Sequence, residues 1–142
     1  MNPVLREATA ADGPVLLEIE RECFASPNWS VDDILRYRCT VAEVDGQIAG
    51  FLSSREVSPS SDGMPAEREI LNIAVRVVYR GLGIAKALLK NELETPATYF
   101  LEVRESNLAA RQLYASLGFT VAGHRANYYS HPCEAAIVMH MK

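Results

Sequence analysis

Leu71-Asn72-Ile73-Ala74-Val75-Arg76-Val77-Val78-Tyr79-Arg80-Gly81-Leu82-Gly83-Ile84-Ala85-Lys86-Ala87-Leu88-Leu89 is the stretch on which the reading of this chain turns. Its first third alternates as a strand does, with Leu71, Ile73 and Val75 on one face and Asn72 and Ala74 on the other. Its last third has helical spacing, with Ile84, Leu88 and Ala87 as the apolar stripe. Between them, Arg80, Gly81 and Gly83 open the helix without bulk. A glycine-rich helix start presents unpaired backbone N–H groups at the positive end of the helix dipole, an arrangement suited to phosphate or pyrophosphate. The spacing does not fit a P-loop, because a single residue separates the glycines and Ala87 follows Lys86. It also fails the dinucleotide pattern, since Lys86 stands where a third glycine belongs. A plain strand–turn–helix connection that uses glycine for its turn explains these residues equally well.

The chain has 142 residues, of which 49% are hydrophobic and 23% charged, enough for one compact domain spanning residues 1–142 with a real core. No apolar run approaches the ~20 residues of a membrane span, and Met1-Asn2-Pro3 does not begin a signal peptide, so a cytoplasmic location without a membrane partner is expected. The formal charge of −4 argues against nucleic-acid binding and leaves room for a cationic peptide. Cys23, Cys39 and Cys133 are widely spaced, as are His124, His131 and His140, and neither set has metal-ligand spacing. No metal is expected. Inert cysteine is the plainer reading of each thiol, although any of them could be a catalytic nucleophile.

From the N-terminus, Val4–Ala8 reads as a strand and Thr9–Asp12 as the start of a helix running to Phe24 with Pro14 in its first turn. Ser30 and Asp33 cap a short helix ending near Tyr37. Cys39–Val44 and Gln47–Arg55 are strands joined by Asp45-Gly46, a two-residue hairpin signal. Residues 58–65 read as a flexible loop. After the central stretch, whose helix runs to about Leu93, come a strand over Thr98–Arg104 and a helix capped by Ser106 or Asn107 and stopped by Gly118. Strands over Thr120–Ala126 and Ala135–Met141 end the chain. This order predicts an α/β fold with a mixed sheet and helices on both faces.

Glu102 lies on one face of the Thr98–Arg104 strand with Phe100 and Arg104. Tyr99, Leu101 and Val103 lie on the other. Burying a carboxylate without a partner is costly, so Glu102 is a candidate base, half of a salt bridge with Arg104, or a group at a solvated strand end. On the next helix, Asn107, Ala110 and Tyr114 share a face, and Leu113 and Leu117 form a neighbouring stripe suited to the core. Tyr114 could be a packing tyrosine with a wet hydroxyl, and Asn107 a plain N-cap.

Arg80-Gly81-Leu82-Gly83-Ile84-Ala85 resembles the Arg/Gln-x-x-Gly-x-Gly/Ala signature of the GCN5-related N-acetyltransferase (GNAT) superfamily. Leu101-Glu102-Val103-Arg104-Glu105-Ser106-Asn107 and Leu113-Tyr114-Ala115-Ser116-Leu117-Gly118-Phe119 resemble its bacterial ribosomal-protein-alanine N-acetyltransferase branch. So do Asn72-Ile73-Ala74-Val75, Arg125-Ala126-Asn127-Tyr128-Tyr129 and the ending Glu134…Ala136-Ile137-Val138-Met139. With Trp29-Ser30, the likeness spans nearly the whole chain.

The resemblance implies a GNAT fold with a mostly antiparallel sheet. It also implies transfer of acetyl from acetyl-coenzyme A to an amine, with the N-terminal α-amine of a protein, possibly ribosomal, as acceptor. It assigns Glu102 as general base and Tyr114 as general acid. The backbone of Ile73, Ala74 and Val75 would hold the acetyl-pantetheine arm. Arg80, Gly81, Leu82, Gly83, Ile84, Ala85 and Lys86 would hold the pyrophosphate, and Asn107 would reach the cofactor. Trp29, Tyr128 and Tyr129 would line the acceptor groove. Departures from the branch are a short helix after the glycines, Arg76-Val77 in place of an acidic or polar residue followed by proline, and Ala135 in place of aspartate.

The chemistry favours an α-amine. At pH 7 an amine of pKa ~7.7–8.0 is roughly a tenth neutral, whereas a lysine at ~10.4 is neutral about once in a few thousand molecules. Direct transfer in a ternary complex is expected, with an acetyl-cysteine route as its rival. Acetylation of a small-molecule amine or a lysine, or coenzyme A binding without turnover, are the alternatives. Oligomeric state is left open by the sequence.

Overall fold

The computed structural model describes residues 2–24, 30–129 and 133–141. Its strands are β1 (Val4–Glu7), β2 (Arg38–Val44), β3 (Gln47–Ser58), β4 (Glu67–Val75), β5 (Thr98–Arg104), β6 (Thr120–Tyr129) and β7 (Glu134–Met141). Its helices are α1 (Gly13–Cys23), α2 (Val31–Arg36), α3 (Ile84–Glu92) and α4 (Leu108–Ser116). The strands form one seven-stranded sheet in the order β1-β2-β3-β4-β5-β7-β6. The β4–β5 pair is parallel, while β1–β2, β2–β3, β5–β7 and β6–β7 are antiparallel, so the sheet is mixed and mostly antiparallel. No helix among the described residues is long and apolar enough to cross a membrane, and no group of three or more acidic, histidine or cysteine side chains among them could hold a metal ion.

Two compact units divide the chain: residues 1–55 with 71–95, and residues 56–70 with 96–142. In the first, Leu16, Ile19, Ile34, Val41 and Phe51 are fully buried and pack with Cys39 and Ala74. Each such side chain contributes about 1.5–3 kcal/mol by leaving water. The Asp45-Gly46 turn has positive φ at both residues (51° and 80°), the twist a two-residue hairpin demands. Ser30 and Asp33 cap α2 reciprocally, with Ser30 N–H donating to Asp33 Oδ2 at 2.8 Å and Asp33 N–H donating to Ser30 Oγ at 3.2 Å. Gly50 is required by crowding, since a Cβ there would sit 2.5 Å from the Ala74 carbonyl oxygen.

In the second unit the buried face of β5 is Tyr99, Leu101 and Val103, and β7 contributes Ala136, Ile137 and Met139. Phe119 is buried here as well.

Several details differ from the sequence expectations. The first helix opens with a 3-10 turn over Ala10–Asp12 before α1 begins at Gly13. Residues 58–65 contain a tight turn, with Ser61 and Met64 exchanging backbone hydrogen bonds at 3.1 and 2.7 Å around Asp62-Gly63. β4 begins at Glu67, four residues before the apolar alternation becomes visible. Leu89, with Ile84 and Leu88, forms the buried stripe of α3, where Ala87 is only half-buried. On α4 the buried position is Tyr114, with Leu113 and Leu117 half-buried beside it.

Candidate active site

In the first unit, α3 starts at a glycine because the backbone there is left-handed. Gly81 and Gly83 have φ of 81° and 79°, and a Cβ at either would meet open space, so conformation and not crowding selects glycine. Gly83 is the N-cap and has no side chain to offer the helix. The first helical bond is Ala87 N–H to the Gly83 carbonyl at 3.0 Å, leaving the N–H groups of Ile84, Ala85 and Lys86 without intrahelical acceptors. Leu82 and Arg80 are exposed beside them. Three main-chain donors at a positive helix end fit a diphosphate.

The approach to this loop is anchored on α1. Arg76, one of the departures noted above, bonds Glu18 at 2.9 Å and Glu22 at 3.2 Å, and its N–H donates to the Ala49 carbonyl at 2.8 Å. The Arg80 Nε donates to the Val75 carbonyl at 3.1 Å, and Cys23 Sγ donates to the same oxygen at 3.3 Å. Of the proposed pantetheine segment, Ala74 is buried and Ile73 and Val75 are half-buried. At the end of α3, the buried Glu92 accepts the Ser54 hydroxyl at 2.9 Å and lies 3.8 Å from Arg38 Nε.

In the second unit, Tyr128 and Tyr129 lie beside Glu102, and Tyr114 lies beside Tyr129. Glu102 is in register with Val138 of β7, and Arg125 of β6 is in register with Ala136. Arg125 Nη1 lies 3.6 Å from Glu102 Oε1, while Glu102 Oε2 is buried without a hydrogen-bond partner. Arg104 bonds Glu134 at 3.3 Å and stacks 4.5 Å over the Tyr129 ring. Glu134 also accepts the Ser106 N–H at 2.6 Å, and these two donors hold its carboxyl below the usual glutamate range, Ser106 contributing most. That contact fixes the turn into α4. Asn107 is the N-cap, its Oδ1 accepting the Ala110 N–H at 3.2 Å.

Tyr114 packs its ring against Phe119 with centroids 5.9 Å apart. Burial, followed by the neighbouring Tyr129, pushes its pKa up to about 12. Tyr129 is pushed up to about 12 by desolvation and then by the charges of Glu102 and Tyr128. Desolvation and Glu102 raise Tyr128 as well. These phenols all stay protonated at neutral pH and can donate hydrogen bonds. Trp29 lies outside the described residues.

Residues 13–119 match the acetyltransferase (GNAT) family model, drawing on both units. The chain belongs to the GNAT acetyltransferase family. It is 38% identical over 128 residues to the [ribosomal protein bS18]-alanine N-acetyltransferase of Escherichia coli K12, covering 83% of this chain and 81% of that one. An N-alpha-acetyltransferase of Sulfurisphaera tokodaii is 31% identical, with 89% and 85% covered. The crystal structure of the Escherichia coli ribosomal-protein-S18-alanine N-acetyltransferase superimposes with a TM-score of 0.84 at 32% identity, covering 98% and 92%. As a member of this family the chain is an acetyltransferase.

Sequence reasoning reached Glu102 and the two tyrosines of β6 but missed Arg125, whose approach to Glu102 depends on strand register. The Arg104–Glu134 pair, between β5 and the start of β7, is likewise not visible from spacing along the chain.

Proposed function

We propose that this chain acetylates the N-terminal α-amine of a protein, a ribosomal protein being the leading acceptor class, by direct transfer from acetyl-coenzyme A in a ternary complex within a single catalytic domain. The observation that carries the reading is the half-buried Glu102 carboxylate, with one oxygen unsatisfied, beside Tyr128 and Tyr129. A site with an uncommitted acceptor atom beside aromatic rings suits an ammonium group. The relatives named for acetylation of protein N-termini support the same acceptor.

Acetyl-coenzyme A supplies the activated acyl group when bound. Ile84, Ala85 and Lys86 donate main-chain N–H groups to its pyrophosphate, with Gly81, Leu82 and Gly83 shaping the bend and Arg80 adding charge. Ile73, Ala74 and Val75 offer backbone groups to the pantetheine arm. Asn107, at the start of α4, makes a further contact. Glu102 takes the proton from the attacking amine, directly or through a water. A main-chain N–H of the Ile73–Val75 segment stabilises the developing oxyanion.

Tyr114 holds its proton for the departing sulfur. At a pKa of about 12 it is a weaker acid than free tyrosine. Against a thiol like cysteine at ~8.5, the transfer is uphill by about 5 kcal/mol, more than an unburied tyrosine would require. Its contribution is therefore greatest as a hydrogen-bond donor that completes transfer late. Tyr128 and Tyr129 line the acceptor groove.

Mass spectrometry of an alanine-started basic peptide incubated with acetyl-coenzyme A tests the reading. Acetyl on the α-amine is expected. Labelling confined to lysine, or binding of coenzyme A with no turnover on any amine, would remove it.

A further inference from the structure

Two arginines approach the tyrosine pair of β6, and they are held differently. Arg104 is hydrogen-bonded to Glu134 and stacked closely over Tyr129, with 30% of its side chain exposed. Arg125 is 58% exposed, and its Nη1 stands 3.6 Å from Glu102, beyond a good hydrogen bond. Its guanidinium carbon lies 5.3 Å from the centroid of the Tyr128 ring. An arginine–carboxylate pair can close as a two-pronged fork that satisfies both oxygens. Here Glu102 Oε2 is left buried and unsatisfied. The contact therefore resembles a cation resting in a site built for another.

A carboxylate beside an aromatic face is a receptor for a compact cation, and an ammonium fits more deeply than a guanidinium can. We infer that Arg125 fills the ammonium-binding position formed by Glu102 and Tyr128, and that the acceptor's α-ammonium displaces it toward solvent. The inference rests on Glu102 being the group that receives the acceptor amine. Arg125 is then a competing internal cation: it screens the Glu102 charge until an acceptor arrives and disfavours groups that are uncharged before binding. Because Arg125 is exposed and lies on β6 at the sheet edge, its departure requires no unpacking of the core.

Titration calorimetry with an alanine-started peptide, in the presence of coenzyme A so that no turnover occurs, tests this. Arg125→Ala should tighten peptide binding by about three- to tenfold, the scale of an exposed ion contact and a cation–ring contact removed together. Arg125→Gln should do the same, which guards against a folding artefact in one variant, and Arg125→Lys should fall near wild type. In a Glu102→Gln background the Arg125→Ala change should have no effect on peptide affinity, because the site no longer attracts either cation. Unchanged or weaker binding by Arg125→Ala and Arg125→Gln would overturn the proposal, as would absence of peptide binding by every variant. Failure of the functional reading would look different: wild-type protein would label only lysines, whatever Arg125 does to affinity.

Discussion

The rings of Tyr128 and Tyr129 meet edge to face with centroids 5.0 Å apart and planes at 81°, although consecutive strand residues ordinarily point to opposite faces. The cause is a bulge. Between Arg125↔Ala136 and Tyr129↔Glu134, β6 spends more residues than β7, and Asn127 takes a left-handed φ of 55°. Its Oδ1 accepts the Cys133 thiol at 3.3 Å. Asn127→Val places a β-branched residue in that conformation and should cost about 1–2 kcal/mol. It should also raise the KM for peptide, by re-aiming the two rings. Asn127→Gly should keep both near wild type. Denaturant melts and peptide kinetics on the two variants check this.

Tyr114 sets the second prediction. Its pKa is raised from 10 to about 12, so the folded protein binds a proton more tightly than the unfolded chain. The associated stability is fully present below pH 10 and is lost as pH rises from 10 through about 12, up to about 2–3 kcal/mol. Tyr114→Phe should flatten that alkaline decline in a melting profile. It should also lower kcat by roughly 100-fold with coenzyme A affinity unchanged, the low end of what a positioned proton donor supplies.

Much of this arrangement was legible because it is local. Asp45-Gly46, the Ser30/Asp33 cap, the Thr98–Arg104 strand and the Gly118 stop each carry their cause within a few residues. Asp62-Gly63 carries the same kind of signal as Asp45-Gly46, but serine and proline around it mask the hairpin as a loop. The start of β4 was hidden because Glu67, Arg68 and Glu69 break the apolar alternation. β6 read as ending at Ala126 because the bulge interrupts the two-residue period. Within the site, Glu102 stood out as a charge in an apolar strand. Its neighbour Arg125 did not, because their approach is set by register across β5, β7 and β6.

Gly83 should tolerate no side chain. At φ 79°, Gly83→Ala should destabilise the protein by about 1–2 kcal/mol even though the space around it is open. Distortion of the α3 start should weaken coenzyme A binding about tenfold or more, measured by calorimetry. Peptide affinity, measured separately, should change less.

The cysteines are expected to be dispensable. Cys39 is buried, and desolvation, partly offset by Ser53, pushes its thiol up to about 11, which leaves it little thiolate at neutral pH. Replacing Cys23, Cys39 and Cys133 together by alanine should leave kcat within about threefold, with a loss of stability at Cys39 of about 1 kcal/mol. Abolished turnover in a folded triple variant would instead support an acetyl-cysteine route.

The most direct test is Glu102→Gln, assayed with an alanine-started peptide while acetyl-coenzyme A binding is followed in parallel. The account predicts that wild type acetylates the α-amine, that the variant binds the cofactor with unchanged Kd, and that its rate falls by about 100- to 10,000-fold, the range a positioned base supplies. A Glu102→Gln protein that acetylates at the wild-type rate would contradict it.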